Sequence, residues 1–497
     1  MIHDFSVPNR QSIIAIVLII YKTIRVVVRQ VWPIIIIAFL GRNSSSYSSY
    51  VLPAVIGVSL LSMIWAVISY FKYYFYIKDD ELVIEKGVLS KTKLNIPFDR
   101  IQSVNFQQNI IHQITKVKKL EIDTAGSSGN EFSMEALSLE KADALRDLIL
   151  KRKQELLQFS TTEDAEEEVL EVEEERTLIL NLSIEELIKV GVSQNHFRSA
   201  GLIFAGIFYV LTQLNDIGLG VDDRIEGYIT QGMLPGLIAI VVITILFLMI
   251  SFLISLVRSV LVYFNLKLWR LGDKYKLEKG LFTRKETTAV DQKIQIMEWS
   301  DNPLKRLFNY FDVQLKQASS VQVKSASSIV IPGCNPTHVK TLQNNWLRHM
   351  VYQSLDKQSV SHHYLIRKLL YNALFGVLFI GVVYILKPEF ILFPILFTVY
   401  KLASSWLQYR KRSYAVTDDV LYIGRGTFGF HHAIMPLFKI QSVSLTESLY
   451  ETRRGLASVN VLTASGSMLI PFIPKDLAMK LNNYLLYSIE SSRQAWM

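Results

Sequence analysis

Three stretches of the chain repeat one pattern: a glycine-centred turn and, fourteen residues later, an isoleucine between a basic residue and a glutamine. The copies read Glu85-Lys86-Gly87-Val88-Leu89 with Arg100-Ile101-Gln102, Glu278-Lys279-Gly280-Leu281-Phe282 with Lys293-Ile294-Gln295, and Gly424-Arg425-Gly426-Thr427-Phe428 with Lys439-Ile440-Gln441. A fixed internal spacing with unequal intervals between copies describes a duplicated module on variable linkers, not a solenoid. Each copy follows long apolar runs. Met233 to Val257, Val51 to Phe71 and Leu369 to Leu386 carry no charge over 25, 21 and 18 residues. At 1.5 Å per residue each can cross about 30 Å of hydrocarbon.

Three weaker runs, Gln30 to Gly41, Ser199 to Leu214 and Phe390 to Gln408, pair with these, which predicts six spans in three hairpins. A mean hydropathy of +0.26 fits that reading. Lys22, Arg25 and Arg29 share one helix face, favouring a basic amphipathic helix in the interface that leads into the first span. The alternative is one long tilted helix over residues 11–40. Lysine and arginine are sparse in the short connections within hairpins and dense at the opposite ends (Lys72, Arg258, Lys267, Arg270, Arg367, Lys368, Arg410, Lys411, Arg412). By the positive-inside rule the modules and both termini face the cytoplasm. A single cysteine, Cys334, excludes an intramolecular disulfide and agrees with a reducing compartment.

The division expected is 1–72 for the N-terminal helix and first hairpin, 73–158 for module one, 159–196 for an acidic linker and interfacial segment, 197–258 for the second hairpin, 259–353 for module two, 354–408 for a linker and third hairpin, and 409–492 for module three. Nine acidic residues crowd into 163–175, so the remainder carries +18 against an overall +9. The acidic run reads as a solvated, self-repelling linker.

Within a module, β-forming clusters come first and a helix last: in copy one Tyr74 to Ile77, Leu82 to Ile84, Thr92 to Ile96, Ile101 to Phe106, Lys118 to Thr124 and Glu131 to Met134, then a helix opened by Ser138-Leu139-Glu140-Lys141. The order predicts a small open antiparallel barrel plugged by its C-terminal helix. These residues, three times over behind paired spans, resemble the bacterial membrane-flanked pleckstrin-homology-like domain family, and the three-copy, six-span layout is similar to its YdbT-type members. The resemblance implies the pleckstrin-homology fold, an envelope location and little defined chemistry. Copy two departs most, with Asp291-Gln292-Lys293 in place of Phe98-Asp99-Arg100 and no proline matching Pro97 or Pro436.

Gly87, Gly280 and Gly426 are expected to supply a positive φ at hairpin turns. Gly424 to Gly429 matches G-x-G-x-x-G, but Phe430 to Ile434 reads as strand where a dinucleotide site needs a helix. Arg100, Lys293 and Lys439 with Gln102, Gln295 and Gln441 sit two apart, hence on one strand face, either as a polar outer face or as a basic-plus-amide site for a phosphate headgroup or a partner's carboxylate. Lys91, Lys93, Arg284 and Lys285 add charge beside the glycine turns; copy three has His431 and His432 there. The His362-His363 and His431-His432 pairs make poor chelates. No metal, cofactor or nucleophile motif is present.

The reading is a non-enzymatic polytopic protein of the bacterial cytoplasmic membrane, without cofactor. It presents its modules to the phospholipid bilayer, to a membrane-protein partner or to further copies of itself, with no nucleic acid involved, as an envelope scaffold or protective factor. Export of a lipid or amphipathic toxin, and sensing of membrane state through a partner, are the alternatives.

Overall fold

The computed structural model describes residues 4–26, 48–124, 132–159, 176–194, 233–318, 328–348, 355–386 and 388–492, together with Gly201, Gly206 and Met350. The acidic run, the Gly126–Gly129 turn and the Gln30–Gly41 segment lie outside them, as does Ser199–Leu214 apart from its two glycines.

Module one contains β1 (Tyr74–Lys78), β2 (Glu81–Lys86), β3 (Thr92–Pro97), β4 (Ile101–Gln108), β5 (Val117–Thr124), β6 (Phe132–Ser138) and the helix Leu139–Phe159. Asp79 and Asp80, both at positive φ, make the two-residue turn between β1 and β2. Module two contains β7 (Arg176–Asn181), β8 (Lys267–Leu271), β9 (Lys274–Lys279), β10 (Arg284–Val290), β11 (Ile294–Ser300), β12 (Phe311–Gln317), β13 (Ser328–Cys334) and the helix Pro336–Leu347. Module three contains β14 (Gln358–Ser359), β15 (Ser413–Val416), β16 (Val420–Arg425), β17 (His431–Pro436), β18 (Ile440–Thr446), β19 (Leu456–Thr463), β20 (Gly466–Pro474) and the helix Lys475–Ser491.

Each module thus begins before its apolar segment. β7 pairs with β8, and β14 with β15, across the intervening apolar helices. In module one the segment around Asn9 takes the same place, bonded in both directions to Phe75 at 2.8 and 2.9 Å. The apolar segment is an insertion between the first and second strands. Residues 176–192, read from sequence as linker and interfacial segment, instead form β7 and a helix, Ile184–Val192. That helix is closed at its start by a Ser183–Glu186 capping box and packs Gly191 against Leu256 of the long apolar helix. The helical stretch 14–26 likewise lays Ala15 and Leu18 against Val117, Ala136 and Tyr70.

Among the described residues four apolar runs are helical: Ser48–Phe71, Met233–Tyr263, His363–Leu386 and Leu392–Arg410. Among the described residues, Thr244–Tyr263 and His363–Leu386 are long and apolar enough to cross a bilayer. Only 11% and 6% of these two segments is buried, so neither is the core helix of a soluble domain.

The modules share sheets. One seven-stranded sheet runs β6-β5-β4-β10-β9-β8-β7 and a second runs β13-β12-β11-β17-β16-β15-β14. The three-stranded half of module one therefore continues into the four-stranded half of module two, and module two continues into module three in the same way. Cores interlock at the second junction: Val420 and Ile434 join the core of module two, and Ile296 joins that of module three.

Candidate functional site

The glycine turns act as predicted by their chemistry. Gly87, Gly280 and Gly426 have φ of +119°, +107° and +151°, and an added Cβ would stand 1.9, 2.0 and 2.2 Å from a carbonyl oxygen three residues on. Each turn carries an apolar tip, Leu89, Phe282 or Phe428. Two of the tips are fixed at the ends of apolar helices. Gly280 and Leu281 donate to Phe264 and Leu261 at 2.8 and 3.0 Å, while Phe428 stacks on Tyr400 and its carbonyl accepts from Lys411.

The basic-Ile-Gln motif is a corner. Arg100, Lys293 and Lys439 each end a 3₁₀ turn, Phe98–Arg100, Asp291–Lys293 and Leu437–Lys439. The following isoleucine is buried in all three copies. The strand register then shifts across the glutamine, between Ile101 and Ser103, Ile294 and Ile296, and Ile440 and Ser442. Turn plus β-bulge bends the chain from the four-stranded half of a module into the three-stranded half. The flat strand face expected from sequence is absent because the glutamine occupies the bulge.

The structure separates the candidate contact residues. Gln295 is fully buried, Lys293 half-buried, and Lys439 is 3% exposed with its ammonium donating to the Gln292 carbonyl of module two. Burial holds Lys439 down at about 8. Burial puts Lys439 and Gln295 out of a headgroup's reach. Arg284 and Lys285 open β10, opposite Gln108 and Gln107 of module one. Lys91, Lys93, Arg100 and Gln441 are exposed at the two ends of the module row, and Lys93 lies 3.8 Å from Glu85. Gln102 lies in β4.

Where module one meets module two, a cavity of about 1070 Å³ opens beside the apolar helix. Its apolar wall is the helix face Leu253, Ile254, Val257, Leu261 and Val262, with Phe282 from the turn tip. The rest of its lining is polar: Asn105 and Gln107 from β4, Lys279 and Lys285 from module two, and Arg258, which lies on the same helix between Val257 and Leu261. The carboxylates in the wall are already paired, Glu286 with Arg146 at 2.9 Å and Lys276 at 3.0 Å, and Glu121 with Lys119 at 2.8 Å. Among the described residues Arg258, Lys279 and Lys285 line the cavity without a carboxylate partner, although Lys279 donates to the Val330 carbonyl at 3.5 Å and lies over the Tyr263 ring. Burial, with Lys285 close by, holds Lys279 down at about 8. Sequence reasoning missed Arg258 and Lys279 as site residues, although Lys279 adjoins the repeated glycine; what brings them together is the junction, which joins residues far apart in the chain.

At the second junction Glu298 lies between Lys316 (2.7 Å) and His431 (3.4 Å), with Arg425 at 3.6 Å. Burial alone would raise its carboxyl, but the His431 and Lys316 hydrogen bonds bring it down to about 2. His432 stacks on Trp299 at 5.2 Å and bonds Tyr422 Oη at 2.6 Å; burial, with Lys357 adding to it, holds the imidazole at about 4. Among the described residues no cluster of three or more His, Cys, Asp or Glu is placed to hold a metal.

A family model described as the bacterial PH domain matches residues 6–153, 209–350 and 373–489. The first match begins in the segment that bonds to Phe75, ahead of the hairpin. The chain is also similar to the UPF0699 transmembrane protein YdbT of Bacillus subtilis (strain 168), 22% identical over 504 residues, covering 98% of this chain and 99% of that protein.

Proposed function

The chain belongs to the bacterial PH domain family, and from that premise we propose a non-enzymatic, multi-pass protein of the bacterial cytoplasmic membrane whose fused modules hold the anionic headgroup of a membrane amphiphile. The cavity at the first junction carries this reading. Its apolar lining belongs to a helix long enough to span, and Arg258, Lys279 and Lys285 line the same cavity, which suits a ligand with an acyl chain and a phosphate. Phe282 and Phe428 would act as apolar anchors at the bilayer surface, and the basic helix ends support a cytoplasmic side for the modules.

Six spans in three hairpins follow from the repeat, with the transmembrane name of the Bacillus relative in support. The third hairpin packs closely: Gly376 meets Thr398, where a Cβ would stand 2.3 Å from the threonine methyl, and Asn372 donates to Ser405 at 2.7 Å. That favours a scaffold over an exporter.

The test uses the full chain in vesicles carrying photoactivatable phosphatidylglycerol or phosphatidylcholine. Peptides spanning 253–262 and 279–287 should label several-fold more with the anionic probe. Each cation near the headgroup contributes about 1 kcal/mol, so Arg258→Gln with Lys285→Gln should bring the anionic labelling down to the level of the neutral probe and leave the neutral probe unchanged. Equal labelling by both lipids, or an unaffected double variant, would overturn the proposal.

A further inference from the structure

The two junctions are one interface used twice. At the first, Glu286, six residues beyond Gly280, faces Phe106, five beyond Ile101. At the second, His432, six beyond Gly426, faces Trp299, five beyond Ile294. The glycine turn seats the same way in both. Gln113 of the short helix Ile110–Ile114 donates to the Leu281 and Phe282 carbonyls, and Asp301, beside the helix Pro303–Leu307, takes the Phe430 amide at 2.6 Å.

A head-to-tail contact used twice among three modules leaves one unused half at each end. Among the described residues, β3 has no strand on its outer edge in module one, and β18 has none in module three. Their exposure matches. Gln441, Ser442 and Ser444 are exposed where Gln295, Ile296 and Glu298 are buried. The turn tip Leu89 is 88% exposed, and Leu449, on the helix that would receive it, is 85% exposed.

We propose that a second copy of this chain occupies these ends, β3 of one molecule adding to β18 of the next. Register follows from the repeat: Lys93 faces Leu445, Thr92 faces Thr446 and Leu94 faces Ser444. The basic residues of this edge are no bar to pairing, because Arg284 and Lys285, at the positions of Lys91 and Thr92, already pair across the first junction. Asn95 and Ser442 resemble the polar Thr288 and Ser103 of that junction, not the apolar Ile434 and Ile296 of the second. The contact is therefore of the first, polar kind. Repeating an in-chain junction also applies the same rotation between neighbours, keeping every hairpin in one membrane. A heterologous contact of this kind builds a ring or an open row.

Two differently tagged full-length chains, one Lys93→Cys and one Leu445→Cys, are co-expressed and oxidised in native membranes; Cys334 is fully buried and does not compete. A chain carrying Ser300→Cys and His431→Cys verifies oxidation at an in-chain pair. The expected result is a disulfide-linked heterodimer at least tenfold above a Lys93→Cys with Ser444→Cys control, whose side chains point to opposite faces, and a ladder of higher species when Lys93→Cys and Leu445→Cys share one chain. Absence of the heterodimer while the in-chain pair oxidises would overturn the proposal. So would a purely intramolecular product from the double variant, which would make the occupant the chain's own end.

Discussion

Gly280 shows how much one position can decide. Its φ of +107° and the Thr283 carbonyl 2.0 Å from any Cβ leave no room for alanine, whereas Gly272, at φ +49°, has nothing within 4 Å. Gly280→Ala should destabilise module two by about 1–3 kcal/mol, while Gly272→Asn, in a region asparagine tolerates, should cost under about 0.5 kcal/mol; thermal unfolding of the two variants in detergent compares them. The glycines were legible because φ and sequence are coupled locally. The basic-Ile-Gln motif was legible as a repeat but not as a corner. A bulge reveals itself only through the register of the neighbouring strand, which no local pattern encodes.

Strands pair according to partners that sequence does not name. The first strand of each module escaped sequence reading for this reason. β14 is two residues long and the Asn9 segment makes one bridge. β7 has a readable Thr177-Leu178-Ile179-Leu180 core and a following capping box, but it is separated from its sheet by the whole second hairpin. Isolated fragments cut at 259 would therefore lose β7 and expose β8, so the test of lipid contact uses the full chain. The second junction also predicts a pH response. Glu298 and His432 both have folded pKa values below their ordinary 4.5 and 6.5. The His432 contribution is complete above pH 6.5 and is lost as pH falls from there to about 4, because the unfolded chain takes up the proton first. The Glu298 contribution, on the order of 3 kcal/mol, holds above pH 4.5 and goes as pH falls towards 2. Between pH 7 and pH 5 the thermal midpoint should drop by a few degrees, and His432→Phe should remove most of that drop while keeping the ring stack on Trp299. An equal drop in the variant would place the pH response elsewhere.

On the scale of the whole molecule, the composition announced apolar hairpins and the spacing announced three modules; the continuity between modules was hidden. Gly429 illustrates it. Its Cβ would stand 2.0 Å from the Asp301 carbonyl of the preceding module, so Gly429→Ala should loosen the second junction and raise protease sensitivity between modules without unfolding module three. Fusion turns three small domains into one platform, with a cavity at one junction and, among the described residues, an unpaired strand edge at each end. The central claim is that modules are joined by strand pairing in a fixed register. The direct measurement is oxidation of a single full-length chain carrying Gln107→Cys and Lys285→Cys, residues that face each other across β4 and β10, compared with Gln108→Cys and Lys285→Cys. The account predicts rapid intramolecular disulfide formation in the first variant and little in the second. No cross-link in the first, or equal rates in both, would contradict it.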